Sequence, residues 1–196
     1  MNQLQRTLFY DRHVAAGAKM VEFGGWEMPV MYPAGIIKEH LSTRKGAGLF
    51  DVSHMGRFIV RGKGALKFLQ HTLTNNAAAL DIRTTGAQYT LIPNKTGGAV
   101  DDAYLYRFKE DEYLLVVNAA NRDKDWKHLQ TLLSETNEIE LLDQTREIAM
   151  LSLQGPKSRQ ILQRVISTGE LPEPKRNSVG TVSISGADVM IARTGY

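Results

Sequence analysis

The residues best suited to chemistry are the adjacent carboxylates in Gly97-Gly98-Ala99-Val100-Asp101-Asp102-Ala103-Tyr104-Leu105-Tyr106. Two glycines after Asn94-Lys95-Thr96 read as a hairpin loop, and the β-branched and aromatic residues that follow read as a strand. A strand sends successive side chains to opposite faces. Asp102 therefore shares a face with Val100, Tyr104 and Tyr106, and Asp101 shares the other with Ala99, Ala103 and Leu105. A carboxylate on a buried face must be hydrogen-bonded, paired or poised for proton transfer, because leaving it ionised and alone costs several kcal/mol. The residues alone leave two readings open. In one, an aspartate accepts hydrogen bonds from the amides of the glycine loop while its neighbour faces water; in the other, a carboxylate acts on a substrate.

Other reactive types are less well arranged. Asp51, Ser53 and His54 invite a triad reading, but neighbours in sequence point in different directions, so a satisfied core histidine beside a strand is the expectation. Gly62-Lys63-Gly64 has Lys67 where a dinucleotide fingerprint needs its third glycine. The five histidines, His13, His40, His54, His71 and His128, have no metal-type spacing, and there is no cysteine, so neither a metal nor a thiol is expected. Arg57, Arg61, Lys63 and Lys67 cluster and predict a modest basic surface able to steer an acidic partner. A net charge of +3, from 24 basic and 21 acidic residues, is too slight to imply nucleic acid. No signal-type or membrane-spanning apolar run is found, and the chain reads as soluble and cytoplasmic.

The elements that must position the aspartates follow from periodicity. Residues 1–19 are polar and mixed; the segment 20–30, with Gly24, Gly25 and Pro29, reads as extended. A helix is predicted over 34–45, with Ile36, Ile37 and Leu41 as its apolar side, and another from Ala65 to Leu73. Strands are predicted at 57–60, 88–92 and 113–117, the last almost wholly apolar and so central. Asn118 and Asn121 are placed to cap the next helix, whose Trp126, Leu129, Leu132 and Leu133 face inward. Strands at 139–142 and 148–153, a helix through Ile161, Leu162 and Val165, and strands at 181–185 and 188–193 complete the pattern. Strands and helices mix without regular alternation, which predicts an α+β fold of mostly antiparallel sheets with packed helices.

Five ordered motifs go further. Val21-Glu22-Phe23-Gly24-Gly25-Trp26-Glu27-Met28-Pro29, Phe50-Asp51-Val52-Ser53-His54-Met55-Gly56, Gly97-Gly98 to Asp101-Asp102, Val116-Val117-Asn118-Ala119-Ala120-Asn121 and Leu153-Gln154-Gly155-Pro156 closely resemble the aminomethyltransferases, the T-proteins of the glycine cleavage system. The resemblance implies a three-domain cloverleaf around a folate channel. It also implies transfer of a one-carbon unit from the aminomethyl-lipoyl arm of the H-protein to tetrahydrofolate, releasing ammonia and giving 5,10-methylenetetrahydrofolate. Carried over residue by residue, it implies Asp102 as the catalytic carboxylate at the reacting folate nitrogen. Met55, Tyr106 and Asn118 become folate contacts, with Tyr89 a further channel tyrosine. Asp101 keeps the structural role of a partner for loop amides, and Arg57, Arg61, Lys63 and Lys67 become the candidate H-protein contact.

The expected domains are residues 1–56 with 145–196 and residues 57–144. The family pattern continues past Thr194-Gly195-Tyr196 into Thr-Gly-Glu, so the expectation is a fragment or truncated form that lacks the third domain and part of the site. Pro93 and Asn76 depart from the family's usual residues without touching the proposed chemistry. The alternatives implied by the same resemblance are a folate-dependent demethylase-type domain and a non-catalytic folate-binding protein of iron-sulfur maturation. The latter typically carries a cysteine motif absent from this chain.

Overall fold

The structure, a computed structural model, describes residues 3–133 and 138–194. The closing Gly195-Tyr196 of the sequence lies outside the described residues. The chain divides into two units, Met1–His54 with Thr145–Arg164, and Met55–Gln144 with Val165–Tyr196.

In the first unit, strands β1 (Gln5–Arg6), β2 (Lys19–Phe23) and β3 (Trp26–Met31) form a sheet of order β1-β3-β2. The turn between β2 and β3 is the Gly24-Gly25 pair, both with positive φ, and the extended reading of this stretch is borne out. Trp26 and Met28 are its buried residues. A short helix α1 (Tyr10–Ala15) forms within the stretch read from sequence only as polar and mixed. Helix α2 (Ile36–Lys45) follows, but its apolar side is not covered within the described structure, and Ile37 is 79% exposed. Strand β4 (Gly48–Asp51) pairs antiparallel with β10 (Leu151–Gln154), which leads into α5 (Ser158–Val165). His13 of α1 bridges this unit, its Nδ1 2.8 Å from the Tyr32 hydroxyl and its Nε2 3.1 Å from Asp51 Oδ2. Burial alone would raise the Asp51 carboxyl, but the Ser53 amide and His13 donate to it and hold it below its ordinary range.

The second unit is built on a five-stranded antiparallel sheet. Its strands are β5 (Gly56–Arg61), β6 (Ala87–Pro93), β7 (Ala99–Lys109), β8 (Glu112–Val117) and β9 (Glu140–Asp143), in the order β6-β7-β8-β5-β9. The apolar strand β8 is central, as its composition predicts. One face carries Phe58, Val60, Ile92, Ala103, Leu105, Leu115 and Val117 against α3 (Ala65–Thr72) and α4 (Arg122–Leu132). Each large side chain among them, fully buried, contributes roughly 1.5–3 kcal/mol, and here they make one continuous core. Gly56 lets β5 approach β8 closely: a Cβ there would meet Val117 Cγ2 at 2.5 Å.

The remaining strands, β11 (Val179–Ile184) and β12 (Ala187–Ala192), form a hairpin that belongs with this second unit. The expected domain boundaries placed it with the first. Two hydrogen bonds to Asn177 explain the difference: Ala87 N–H donates to its carbonyl at 3.1 Å and the Tyr104 hydroxyl to its Oδ1 at 2.6 Å. Among the described residues no helix is long and apolar enough to cross a membrane.

Candidate functional site

The hairpin before β7 is closed by a side chain. Asn94 Oδ1 accepts from the Thr96 amide at 3.0 Å and the Gly98 amide at 2.9 Å, while Gly97 takes φ +87°, a turn conformation natural to glycine. The loop amides thus find their acceptor in Asn94, and the expectation that Asp101 serves them is corrected. A second correction concerns Val100. Ile92 pairs with Asp101 but Pro93 pairs with Ala99, so Val100 is the extra residue of a bulge and packs on the core side, away from Asp102.

Past the bulge, alternation resumes. Asp101 lies on the core face with Ala103 and Leu105; Asp102 lies on the other with Tyr104 and Tyr106. Tyr89 of β6 sits opposite Tyr104 in register, and a row of rings runs along this face. Ring centroids are 6.4 Å apart for Tyr89 and Tyr104, 5.2 Å for Tyr104 and Tyr106, and 5.9 Å for the stacked Tyr106 and Phe108. Tyr89 is 52% exposed. Partial desolvation, and then the negative charge of Asp102, hold its phenol above the ordinary range. Tyr104 is on this face, as its parity with Asp102 predicts, and Phe108 is a ring-face member that sequence reasoning did not single out.

Asn118, just past β8, makes no side-chain cap. Its Nδ2 instead donates to Asp102 Oδ1 at 2.8 Å and to Asp101 Oδ1 at 3.2 Å, so one amide nitrogen spends its two hydrogens on two carboxylates. Gly56, Val117 and Ala103 are partners across three adjacent strands. One residue further along that row stand Met55, Asn118 and Asp102, all at one end of the sheet. The Met55 carbonyl accepts from the Arg57 guanidinium at 2.5 Å. Tyr106 lies four residues from Asp102, about 13 Å along the strand.

Asp125 of α4 is the site-associated residue that sequence reasoning missed. It is fully buried, and it faces Asp101. Burial, and then the neighbouring Asp101, push its carboxyl up to about 8. Burial would raise Asp101 too, but hydrogen bonds from Asp125 and Asn118 hold it below its ordinary range. The signal was present in the helix period: Asp125 is four residues before buried Leu129 and seven before Leu132, an acidic residue on the inward stripe.

The basic cluster is not a single surface. Arg57 is 1% exposed, held in the middle of the sheet between β8 and β9, and is therefore removed from the candidate partner contact. Arg61 pairs with Glu140 at 2.6 Å, directly across from it in register, and lines a depression with Glu110, Asp111, Glu112 and Glu138. Lys63 and Lys67 remain exposed. The Ser53 amide donates to Asp51 Oδ1 at 2.9 Å. The Ser53 hydroxyl donates to the Met150 carbonyl at 3.1 Å and accepts from the Met150 amide at 3.0 Å, while His54 meets Phe23 edge to face.

Residues 9–196 match the family described as the GCVT N-terminal domain. The chain is 47% identical over 193 residues to an aminomethyltransferase of Deinococcus deserti, and 46% identical over 193 residues to one of Thermus thermophilus. These alignments cover 98% of this chain and 53% and 54% of those proteins. The chain thus spans about half the length of the curated relatives it matches. Among solved structures, the glycine cleavage system aminomethyltransferase T of Bartonella henselae superposes with a TM-score of 0.81 at 36% identity, covering 91% of this chain and 47% of that one. A chain of the heterotetrameric sarcosine oxidase from Corynebacterium sp. U-96 has a TM-score of 0.64 at 19% identity, covering 98% and 83%, which establishes a shared fold only. With residues 9–196 matched, the mixed helix and antiparallel sheet architecture in common, and relatives named for one activity, the chain belongs to the GCVT N-terminal domain family of the aminomethyltransferases.

Proposed function

We propose that this chain carries the folate side of a glycine cleavage aminomethyltransferase, with tetrahydrofolate as acceptor and the aminomethyl-lipoyl arm of the H-protein as donor. In the overall reaction the carbon leaves the lipoyl sulfur and its amino group and joins the two folate nitrogens. The hydrogens displaced from those nitrogens go to the thiol and to ammonia, so that atoms balance. The carbon is positively charged and iminium-like once the thiolate departs. A fixed carboxylate can favour that charge and orient and deprotonate the attacking nitrogen.

The observation that carries this reading is Asp102, oriented by Asn118 at 2.8 Å and set beside a half-exposed tyrosine at the end of a row of rings. A folate is flat with polar edges, and ring faces beside a few amide and carboxylate groups suit it. Tyr89, Tyr106, Met55 and Asn118 are the proposed folate contacts, and Lys63 and Lys67 the remaining candidates for meeting the H-protein. The reading is tested in the whole protein with aminomethylated H-protein and tetrahydrofolate, following ammonia. Asp102→Asn is expected to lower transfer by about a thousandfold while tetrahydrofolate still binds. Near-normal turnover of that variant sinks the assignment. A demethylase-type activity would instead appear as methyl-amine substrates outperforming the H-protein in the same assay.

A further inference from the structure

The core face of the sheet holds an arrangement that the proposed chemistry leaves unused. Asp101 Oδ2 and both carboxyl oxygens of Asp125 are buried, and among the described residues none of them accepts a hydrogen bond from an N–H or O–H donor. The charged groups acting on the Asp125 carboxyl are Asp101 and Asp102 of β7 and Lys124 of its own helix, whose ammonium is already donated to the Val100 carbonyl at 2.6 Å. Asn118 offers its hydrogens to Asp101 Oδ1 and Asp102 Oδ1, with a longer 3.5 Å approach to the Asp102 carbonyl, and not to the orphaned Asp101 Oδ2. Two carboxylates facing each other in a protein core repel, and each orphaned acceptor carries a desolvation cost. One proton held between them removes both penalties: the protonated carboxyl donates, and its neighbour accepts.

We infer that Asp125 is a positioning residue: its protonated carboxyl donates a hydrogen bond to Asp101, and this pair, acting through the two hydrogens of the Asn118 amide, fixes the orientation of Asp102. The chain of bonds runs Asp125 to Asp101 to Asn118 to Asp102, crossing from the core face of the sheet to the ring face around the end of β7. Asp101 is thereby anchored at both ends. One oxygen is occupied by Asp125, so the other is directed at Asn118, and the second amide hydrogen is directed at Asp102. Loss of the Asp125 proton would place two charges together and pull the Asn118 amide toward the core. For catalysis the inference rests on the reading of Asp102 given above; the proton itself does not.

Carboxyl carbon NMR of the labelled chain, with substitutions at Asp125, tests both parts. One aspartate signal, lost in Asp125→Asn, is expected to titrate near 8, and a second, assigned to Asp101, below the ordinary carboxylate range. Asp125→Asn keeps an N–H donor for Asp101 and is expected to leave the Asn118 side-chain amide signals in place. Asp125→Ala removes the donor and is expected to move them. In the whole protein, Asp125→Asn should keep transfer within about threefold of the original while abolishing its decline above about pH 8. Asp125→Ala should lower kcat by about tenfold or more, with a smaller change in KM for tetrahydrofolate. If Asp125→Ala does not fold, the titration and the Asp125→Asn pH profile decide. Ordinary titration of Asp125, or Asn118 signals that stay in place in Asp125→Ala, overturns the inference. An Asp102→Asn variant with full transfer would instead discard the catalytic reading and leave the shared proton standing.

Discussion

The two faces of the five-stranded sheet treat the same chemical group in opposite ways. On the core face Asp101 lies among Ala103, Leu105, Leu115 and Val117, where a lone charge is not tolerated and a second carboxyl, Asp125, is held protonated beside it. On the ring face Asp102 keeps company with Tyr89, Tyr104 and Tyr106 and takes a hydrogen bond from Asn118. The two aspartates are adjacent in sequence and share one amide donor, yet strand alternation gives them different surroundings. Identity of side chain is thus a poor guide to role; the face of the sheet decides it.

The sharpest test is a paired one, run on activity and stability together. Asp102→Asn is expected to remove about 4 kcal/mol of transition-state stabilisation and leave the urea midpoint nearly unchanged, because its amide still fits beside partly exposed neighbours. Leu115→Ala, on the core face, should do the reverse, costing about 3 kcal/mol of folding free energy by chemical denaturation with little change in transfer per folded molecule. A core substitution that spared stability, or an Asp102 substitution that unfolded the chain, would break the division between faces.

The second test is pH. Asp125 ionises near 3.8 in the unfolded chain and near 8 in the folded one. Between those values the unfolded state has released a proton that the native state keeps, so this group's contribution to stability falls as pH rises and levels off above 8. Asp101 has the opposite sign: its carboxyl is pulled below the ordinary range, and its contribution is lost as pH falls through that lowered value. Asp125→Asn should therefore gain stability relative to the original chain between pH 4 and 8, by no more than about 1.4 kcal/mol per pH unit, measured by urea titration at each pH.

Smaller effects sharpen the picture at the edges of the ring face. Tyr104→Phe removes the hydroxyl that donates to Asn177 and should cost about 1 kcal/mol in thermal stability, while leaving the row of rings intact. Lys63→Glu is expected to slow H-protein-dependent transfer by a few tenths of a kcal/mol, more at low salt than at high. Salt-independent behaviour removes the lysines from the partner surface.

Much of this was legible in the sequence. The central position of β8, the hairpin into β7 and the separation of Asp101 from Asp102 follow from period-two alternation and turn residues, which are local properties. What was not legible depends on non-local pairing. Arg57 reads as surface because arginine usually is, but placement on a strand flanked on both sides buried it. The apolar side of α2 reads as core, yet nothing among the described residues covers it. The bulge that turned Val100 inward needed the register of two strands, and a single strand cannot reveal it. Asp125 was visible as an acidic residue on an apolar stripe, but its partner became apparent only when α4 was laid on the sheet.

The Asn118 amide has a consequence for chemical ageing. Deamidation would change its mass by about one unit and its shape hardly at all, yet it would exchange two donors for a third carboxylate at a point already facing Asp101 and Asp102. The damaged protein would have to take up a further proton or let the three groups separate. A lesion nearly invisible to size or secondary structure would register as a shift in the pH at which the molecule works.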